Sequence, residues 1–308
     1  MTIEFQLLHS LKEKELENFD FKDERNWNYL DPNRFQAEVK YDGERIKAIK
    51  KNGEVILVNR RGRNKTKFYL EVVQELAKIS GDFVLDGEMI SDDDNFNQLQ
   101  RRALTQDPYK QDKLRQEIPV KYMIFDILER DNKDLKNEML KDRKIEISKL
   151  GILGEHRADK LTYCRCVNLA DINNTYSYAK SEDKEGIIIK DLESRYEYKR
   201  SKSWLKCKFF KTTELHLQNY TINNSGIRAV DSNNNVVQIA GQQHKEVKER
   251  LDQNKECCVV VQYLELTKKG RLRNPSFVKL KTREETIQEL KDEKLYMDSL
   301  SERCENEK

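Results

Sequence analysis

The chain has 308 residues, 58 of them Lys or Arg and 55 Asp or Glu, giving a net charge of only +3, with 37% hydrophobic and 37% charged side chains. At roughly 100–200 residues per domain this is two domains or one large one, and 13 Tyr, 11 Phe and regular apolar segments exclude a disordered chain. Without an apolar run of ~18–20 residues or a cationic leader at the start, a soluble cytoplasmic protein with no membrane association is expected, a viral or phage origin included.

Taken in chain order, residues 2–20 read as a short amphipathic helix. From Phe35 the segment FQAEVKYDGERIKAIKKNGEVILVNRRG alternates apolar and polar residues around Asn52-Gly53, a hairpin signal. FYLEVVQELAKIS has helical spacing and is closed by Gly81. DFVLDGEMIS reads as a buried strand, DNFNQLQRRALTQ as a helix and VKYMIFDILE as another buried strand. A charged helix is expected from Leu135 to about Gly151. EGIIIKDL and WLKCKFFK read as two further strands joined by the basic link ESRYEYKRSKS.

Beyond Lys211 the texture shifts to short strands with Asn/Gly turns, a helix around His244–Asp252, a strand pair in CCVVVQYLELTKKGRLRNPSF and a charged C-terminal helix. Five or so strands with one internal helix suit a small OB-type barrel. The expected division is therefore 1–211 and 212–308. Cys164/Cys166, Cys257/Cys258 and the scattered histidines fit no zinc-knuckle or redox spacing, so no structural metal is expected, and six cysteines suit a reducing compartment.

Chemistry concentrates in Glu38-Val39-Lys40-Tyr41-Asp42-Gly43-Glu44-Arg45. A lysine ending a strand before an Asp-Gly turn can point its amine into a cleft. An amine attacks only when neutral, and desolvation and neighbouring cations favour that form. KYDGER resembles the nucleotidyl-transfer motif of the covalent nucleotidyltransferases, the superfamily of DNA ligases, RNA ligases and capping enzymes. Similar segments follow in the family's order: NRRG at 59–62, LDGEMI at 85–90, YMIFDIL at 122–128, EGIIIK at 185–190 and WLKCKFF at 204–210. FNQLQRRAL and the ending YLELTKKGRLRNPSF narrow the resemblance to ATP-dependent DNA ligases of a minimal two-domain type.

The resemblance implies an α+β chain: an adenylation domain of antiparallel sheets with flanking helices, then a C-terminal OB-fold β-barrel. It implies a monomer that seals 3′-OH/5′-phosphate nicks in duplex DNA with ATP and Mg²⁺ (or Mn²⁺). Lys40 would be the nucleophile that carries AMP. Glu38 would accept from the adenine amino group, and Phe125 would stack on the purine. Arg45 and Arg60 would hold ribose and phosphate, or the nick's 5′-phosphate, and Glu88 the ribose hydroxyls. Glu185, with Glu88, would hold the metal. Lys206 and Lys208, two apart on a strand and so on one side, would contact the α-phosphate. Lys190 completes the nucleotide set, Asp42 shapes the turn and assists later steps, and Arg273 is the second domain's contribution. Arg101 and Arg102 would touch the nick's phosphate backbone.

At the carboxyl end the chain departs from the family pattern x-Arg-x-Arg-x-Asp-Lys, having Lys279, Lys281 and Arg283-Glu284 instead, which keeps charge but loses bidentate geometry. The alternatives are an RNA ligase or capping-type enzyme of the same chemistry, and a non-catalytic nucleic-acid-binding relative.

Overall fold

The computed structural model describes residues 5–11, 34–152, 160–164, 166–168, 172–255, 257–267 and 269–281. The chain divides into two compact units, Met1–Phe209 and Phe210–Lys308, both mixing strands with helices. Among the described residues no helix is long and apolar enough to cross a membrane.

In the first unit the strands β1 (Leu7–Leu11), β2 (Phe35–Lys40), β3 (Glu44–Lys51) and β4 (Glu54–Asn59) precede helix α1 (Leu70–Lys78). There follow β5 (Phe83–Ser91), α2 (Phe96–Leu104), α3 (Pro108–Glu117), β6 (Val120–Arg130), the two-residue β7 (Lys133–Asp134) and α4 (Leu140–Ser148). The unit closes with β8 (Leu161–Tyr163), β9 (Cys166–Asn168), α5 (Ile172–Ser181), β10 (Gly186–Asp191) and β11 (Arg200–Lys208). One sheet runs β1-β11-β10-β2-β9 and the other β4-β3-β5-β6-β7, with β8 on β6. Pairing is antiparallel except for β1 on β11 and β8 on β6.

Alternation along the strands decides what each face carries. In the second sheet Ile46, Ala48, Leu85, Met89, Tyr122 and Ile124 face a large core closed by Val72 and Leu76 of α1. In the first sheet Ala37, Ile187, Ile189 and Cys207 pack against Ile172 and Ala179 of α5. The opposite faces carry a third cluster with Met123, Phe125, Cys164, Tyr196 and Trp204.

Several expectations are corrected here. Residues 7–11 form a strand, not part of a helix: Leu7 N donates to Lys199 O at 2.9 Å and the segment runs along β11, so its apolar spacing serves a sheet edge. Residues 12–20 of that expected helix lie outside the described residues. The helix α3 was not expected; Asp107 caps it by accepting from Tyr109 N and Lys110 N, with Pro108 opening the first turn. The charged helix begins at Leu140, not Leu135, after a turn closed by Glu138 N donating to Leu135 O. The basic link before Trp204 already turns into strand at Arg200.

The second unit holds β12 (Lys211–Asn223), β13 (Gly226–Asp231), β14 (Val236–Ile239), α6 (Gln243–Asp252), β15 (Cys258–Tyr263) and β16 (Ser276–Leu280). They form an antiparallel sheet in the order β14-β13-β12-β15-β16. Its apolar face, including Leu215, Leu217, Ile227, Val237, Val259 and Val261, is closed by Val247 of α6. The expected charged C-terminal helix lies outside the described residues.

Candidate active site

Three neighbouring strands build one wall of a cavity. Register sets Lys40 and Lys208 on either side of Gly186, and Glu38 and Lys206 on either side of Ile188. With side chains alternating, Lys40, Glu38, Lys208, Lys206 and Trp204 share the face opposite the Ala37–Ile187–Cys207 core. The facing sheet contributes Arg45, Glu88 and Phe125, and Leu8, Val39, Tyr41, Cys164, Ile188 and Lys190 complete the lining. Two glycines permit this closeness: a Cβ on Gly186 would stand 2.0 Å from Cys207 O, and one on Gly43 would stand 2.1 Å from Met89 O.

At one end the Lys40 ammonium is ion-paired with Glu185 Oε2, while Lys208 holds Oε1 of the same carboxylate. Burial alone would raise the Glu185 carboxyl, but the two lysines outweigh it and hold it below the usual range. Lys206 is pulled below the ordinary lysine value by partial burial and by Lys208 and Lys40. Glu88 lies near enough to feel Lys40 and Arg45, yet burial pushes its carboxyl up to about 8, with Glu185 and Asp42 adding to the rise.

At the other end sits a buried charge cluster. Glu38, 2% exposed, accepts from Lys144 Nζ at 2.5 Å and Gln36 Nε2 at 3.1 Å, both on Oε1. Its Oε2 pairs with Lys190 Nζ at 2.6 Å. Burial opposes the charge on Glu38, but Lys144 and Lys190 keep its carboxyl low. The Lys190 ammonium also lies 4.5 Å from the Phe125 ring centre and 4.3 Å from that of Trp204, a cation–π arrangement. Phe125 meets Trp204 edge to face, with ring centres 5.9 Å apart.

The structure brings Lys40, Glu38, Glu88, Phe125, Glu185, Lys190, Lys206 and Lys208 together. Asp42 lies in the β2–β3 turn, close to Glu88. Arg45 lines the cavity, but its fork is closed on Asp86 at 3.0 and 2.7 Å and its Nη1 donates to Gln6 O at 2.6 Å, so it acts as wall rather than reaching outward. Arg60 is exposed in the turn after β4, which Asn59 organises by accepting from Arg61 N and Arg63 N. Arg273 belongs to the second unit and pairs with Glu265 at 2.8 Å.

Arg102 is a correction. Its side chain is 0% exposed and donates to Ile118 O, Phe68 O and Glu71, locking α2 into the core, where no phosphate backbone can reach it. Arg101, by contrast, is exposed and paired with Glu117 at 3.1 Å. Sequence reasoning missed Lys144 and Trp204. Lys144 carries no local signal, whereas Trp204 was legible as the residue two before Lys206 on the same strand face.

Behind Arg45, Lys47 is 3% exposed, with Nζ 4.6 Å from the Phe5 ring centre and 4.9 Å from that of Tyr198. Burial lowers its ammonium to about 8, with Asp86 opposing and Arg45 adding to the fall. Below pH 8 the native state carries an ammonium that favours the unfolded chain. Between about 8 and 10.5 the native state sheds this proton while the unfolded chain keeps it, so stability rises with pH there. Lys47→Met is therefore expected to raise Tm by several degrees at pH 7, on the order of 2 kcal/mol. Thermal melts should show that gain shrinking as pH climbs above 8.

Comparison with known proteins fits this geometry. Residues 18–208 match the family model described as ATP dependent DNA ligase domain; the chain belongs to that family. It is 30% identical over 195 residues to the DNA ligase of Methanosphaera stadtmanae, covering 58% of this chain and 33% of that one. DNA ligase 1 of Methanosarcina barkeri is 32% identical over 196 residues, covering 58% and 35%. The chain thus spans about a third of the length of these curated relatives. The crystal structure of the ligase domain from M. tuberculosis LigD shares the fold, with a TM-score of 0.55 at 21% identity over 91% of this chain and 95% of that one.

Proposed function

We propose that this chain seals 3′-OH/5′-phosphate nicks in duplex DNA at the expense of ATP, acting as a monomer. The observation that carries the reading is the Lys40–Glu185–Lys208 cluster, whose Lys40 lines a cavity together with Glu38, Phe125, Glu88 and Lys190. Within this reading residues 1–211 are the adenylation domain and 212–308 an OB-type barrel, supported by five antiparallel strands with one helix between the third and fourth.

Lys40 Nζ attacks the α-phosphorus of ATP; the P–N bond forms, the bond to the bridging oxygen breaks, and pyrophosphate leaves. The 5′-phosphate of the nick then attacks the same phosphorus, the P–N bond breaks and Lys40 is released. Finally the 3′-oxygen attacks the 5′-phosphorus and AMP departs. Such transfers rest on in-line positioning and on neutralising charge that spreads over oxygens. Lys206 and Lys208 flank Lys40 on the strand face and supply that charge. Phe125, backed by Trp204, gives the purine a ring to lie on. Glu38 Oε2, which carries Lys190 while Lys144 and Gln36 sit on Oε1, has a further lone pair with which it would accept from the adenine amino group.

Glu185 and Glu88 would hold Mg²⁺, their carboxyl oxygens being hard donors next to Lys40, with Glu88 giving up its proton to solvent as the ion binds. When bound there, such an ion would supply Lewis-acid stabilisation of phosphate charge.

The test is a 5′-labelled duplex with one nick, incubated with ATP and Mg²⁺ beside a matched RNA nick. Conversion of the DNA to the longer strand is expected, with yield falling steeply as salt rises because binding rests on phosphate contacts. Sealing of RNA alone would replace this reading with an RNA ligase, and duplex binding without sealing of either would replace it with a binding protein.

A further inference from the structure

On the outer face of the second unit's sheet, three metal-binding donors converge from two strands. Leu215 and Leu217 point into the core, so alternation along β12 turns Glu214 and His216 outward on one face. β15 pairs antiparallel with β12 and sets Cys258 directly opposite His216, a position where Cβ atoms lie ~4.5–5.5 Å apart. A carboxylate oxygen, an imidazole nitrogen and a thiol sulfur thereby fall within 4.8 Å of one another. Cys258 Sγ already donates to Glu214 Oε2 at 3.3 Å, and the ammonium of Lys281 lies 2.5 Å from Glu214 Oε1.

We propose that Glu214, His216 and Cys258 form a binding site for Zn²⁺ or a cation of its class, with water in the fourth position. Thiolate and imidazole are borderline-soft donors that suit Zn²⁺. Mg²⁺ demands oxygen ligands in near-ideal octahedral geometry, so this site is chemically separate from the Glu88/Glu185 pair. Binding forms a metal–sulfur bond as the thiol proton, now directed at Glu214 Oε2, passes to solvent. Glu214 exchanges the Lys281 ammonium for the metal. Glu214 and His216 are exposed and Cys258 is buried, which gives the ion a path from solvent and a sheltered sulfur to bind. The bound ion would clip β12 to β15 and release Lys281 from its carboxylate, tying metal occupancy to the Lys279-Leu280-Lys281 stretch where the chain departs from its family pattern.

The experiment is a Co²⁺ titration of the full chain after chelator treatment and dialysis, read by absorption and followed by competition with Zn²⁺. One equivalent should bind with a cobalt–thiolate charge-transfer band that Zn²⁺ abolishes. Cys258→Ser should remove the band, and His216→Ala should weaken binding about tenfold or more. Lys281→Met, which removes the competing ammonium, should tighten binding severalfold. His216 lies on the surface, so its variant keeps the fold and carries the test even where Cys258→Ser fails to fold. Absence of the band in the parent chain, its survival in Cys258→Ser, or unchanged affinity in His216→Ala would overturn the proposal.

Discussion

Lys40→Ala protein incubated with α-labelled ATP and Mg²⁺ is expected to carry no covalent AMP and to seal no nick, while sealing of a nick supplied with its 5′ end already capped by AMP persists within about tenfold. The asymmetry follows from the bonds. In the proposed mechanism Lys40 Nζ would form and lose the P–N bond in the first two steps, whereas the third would join a 3′-oxygen to a phosphorus that never touches this lysine. Removing Lys40 also relieves Glu185 of one of its two cations, so Lys208 remains as its partner and the carboxylate stays paired. Tenfold corresponds to about 1.4 kcal/mol of barrier, a reasonable allowance for that local rearrangement. Gel analysis of label on the protein and of capped-nick closure separates the steps. Loss of both reactions to the same degree would mean that Lys40 positions DNA rather than carrying AMP.

The largest expected effect on stability lies one shell behind the cavity. Arg143 and Asp126 are both 0% exposed and joined through two bonds of 2.8 Å. Arg143 also donates to Glu138 O at 2.7 Å and Ser194 O at 3.1 Å, tying α4 to β6 and to the link before β11. Arg143→Met leaves an unpaired carboxylate in the core, which costs about 3–5 kcal/mol and should lower Tm by about 10 °C. The double variant Arg143→Met/Asp126→Leu removes both charges and should recover most of the loss, because a well-packed apolar pair can replace a buried ion pair. Lys144 follows Arg143 on α4 and holds Glu38. The single variant should therefore also weaken ATP-dependent labelling at temperatures where it remains folded. Equal melting of single and double variants would show that the pair contributes packing rather than charge compensation.

The sequence by itself determined which candidate residues share a strand face. Lys40, Glu38, Lys206 and Lys208 lie on short strands of period two, and that period alone settles which side chains share a face. The Asn52-Gly53 turn and the capped helix α2 were legible for the same reason: their signals sit within a few residues of the structure they specify. Even Arg102 left a local trace, since it lies three residues after Leu99 and beside Ala103 on the buried side of α2. A helix-wheel reading would have turned it inward, although only the tertiary fold supplied the carbonyls of Ile118 and Phe68 that make its burial tolerable.

Other features were decided by tertiary structure alone. Residues 7–11 have spacing that a helix or a strand could use, and the open edge of β11 chose the strand. α3 is too polar to announce itself through periodicity; Gln111 and Leu114 are its buried positions. The pairing of Lys144 with Glu38 spans 106 residues, and that of Cys258 with Glu214 spans 44. No local pattern encodes such partners. Whether a charge is a solvated surface group, half of a buried pair or a ligand depends on which distant strand arrives opposite it, and strand pairing is settled only when the whole sheet buries its apolar face.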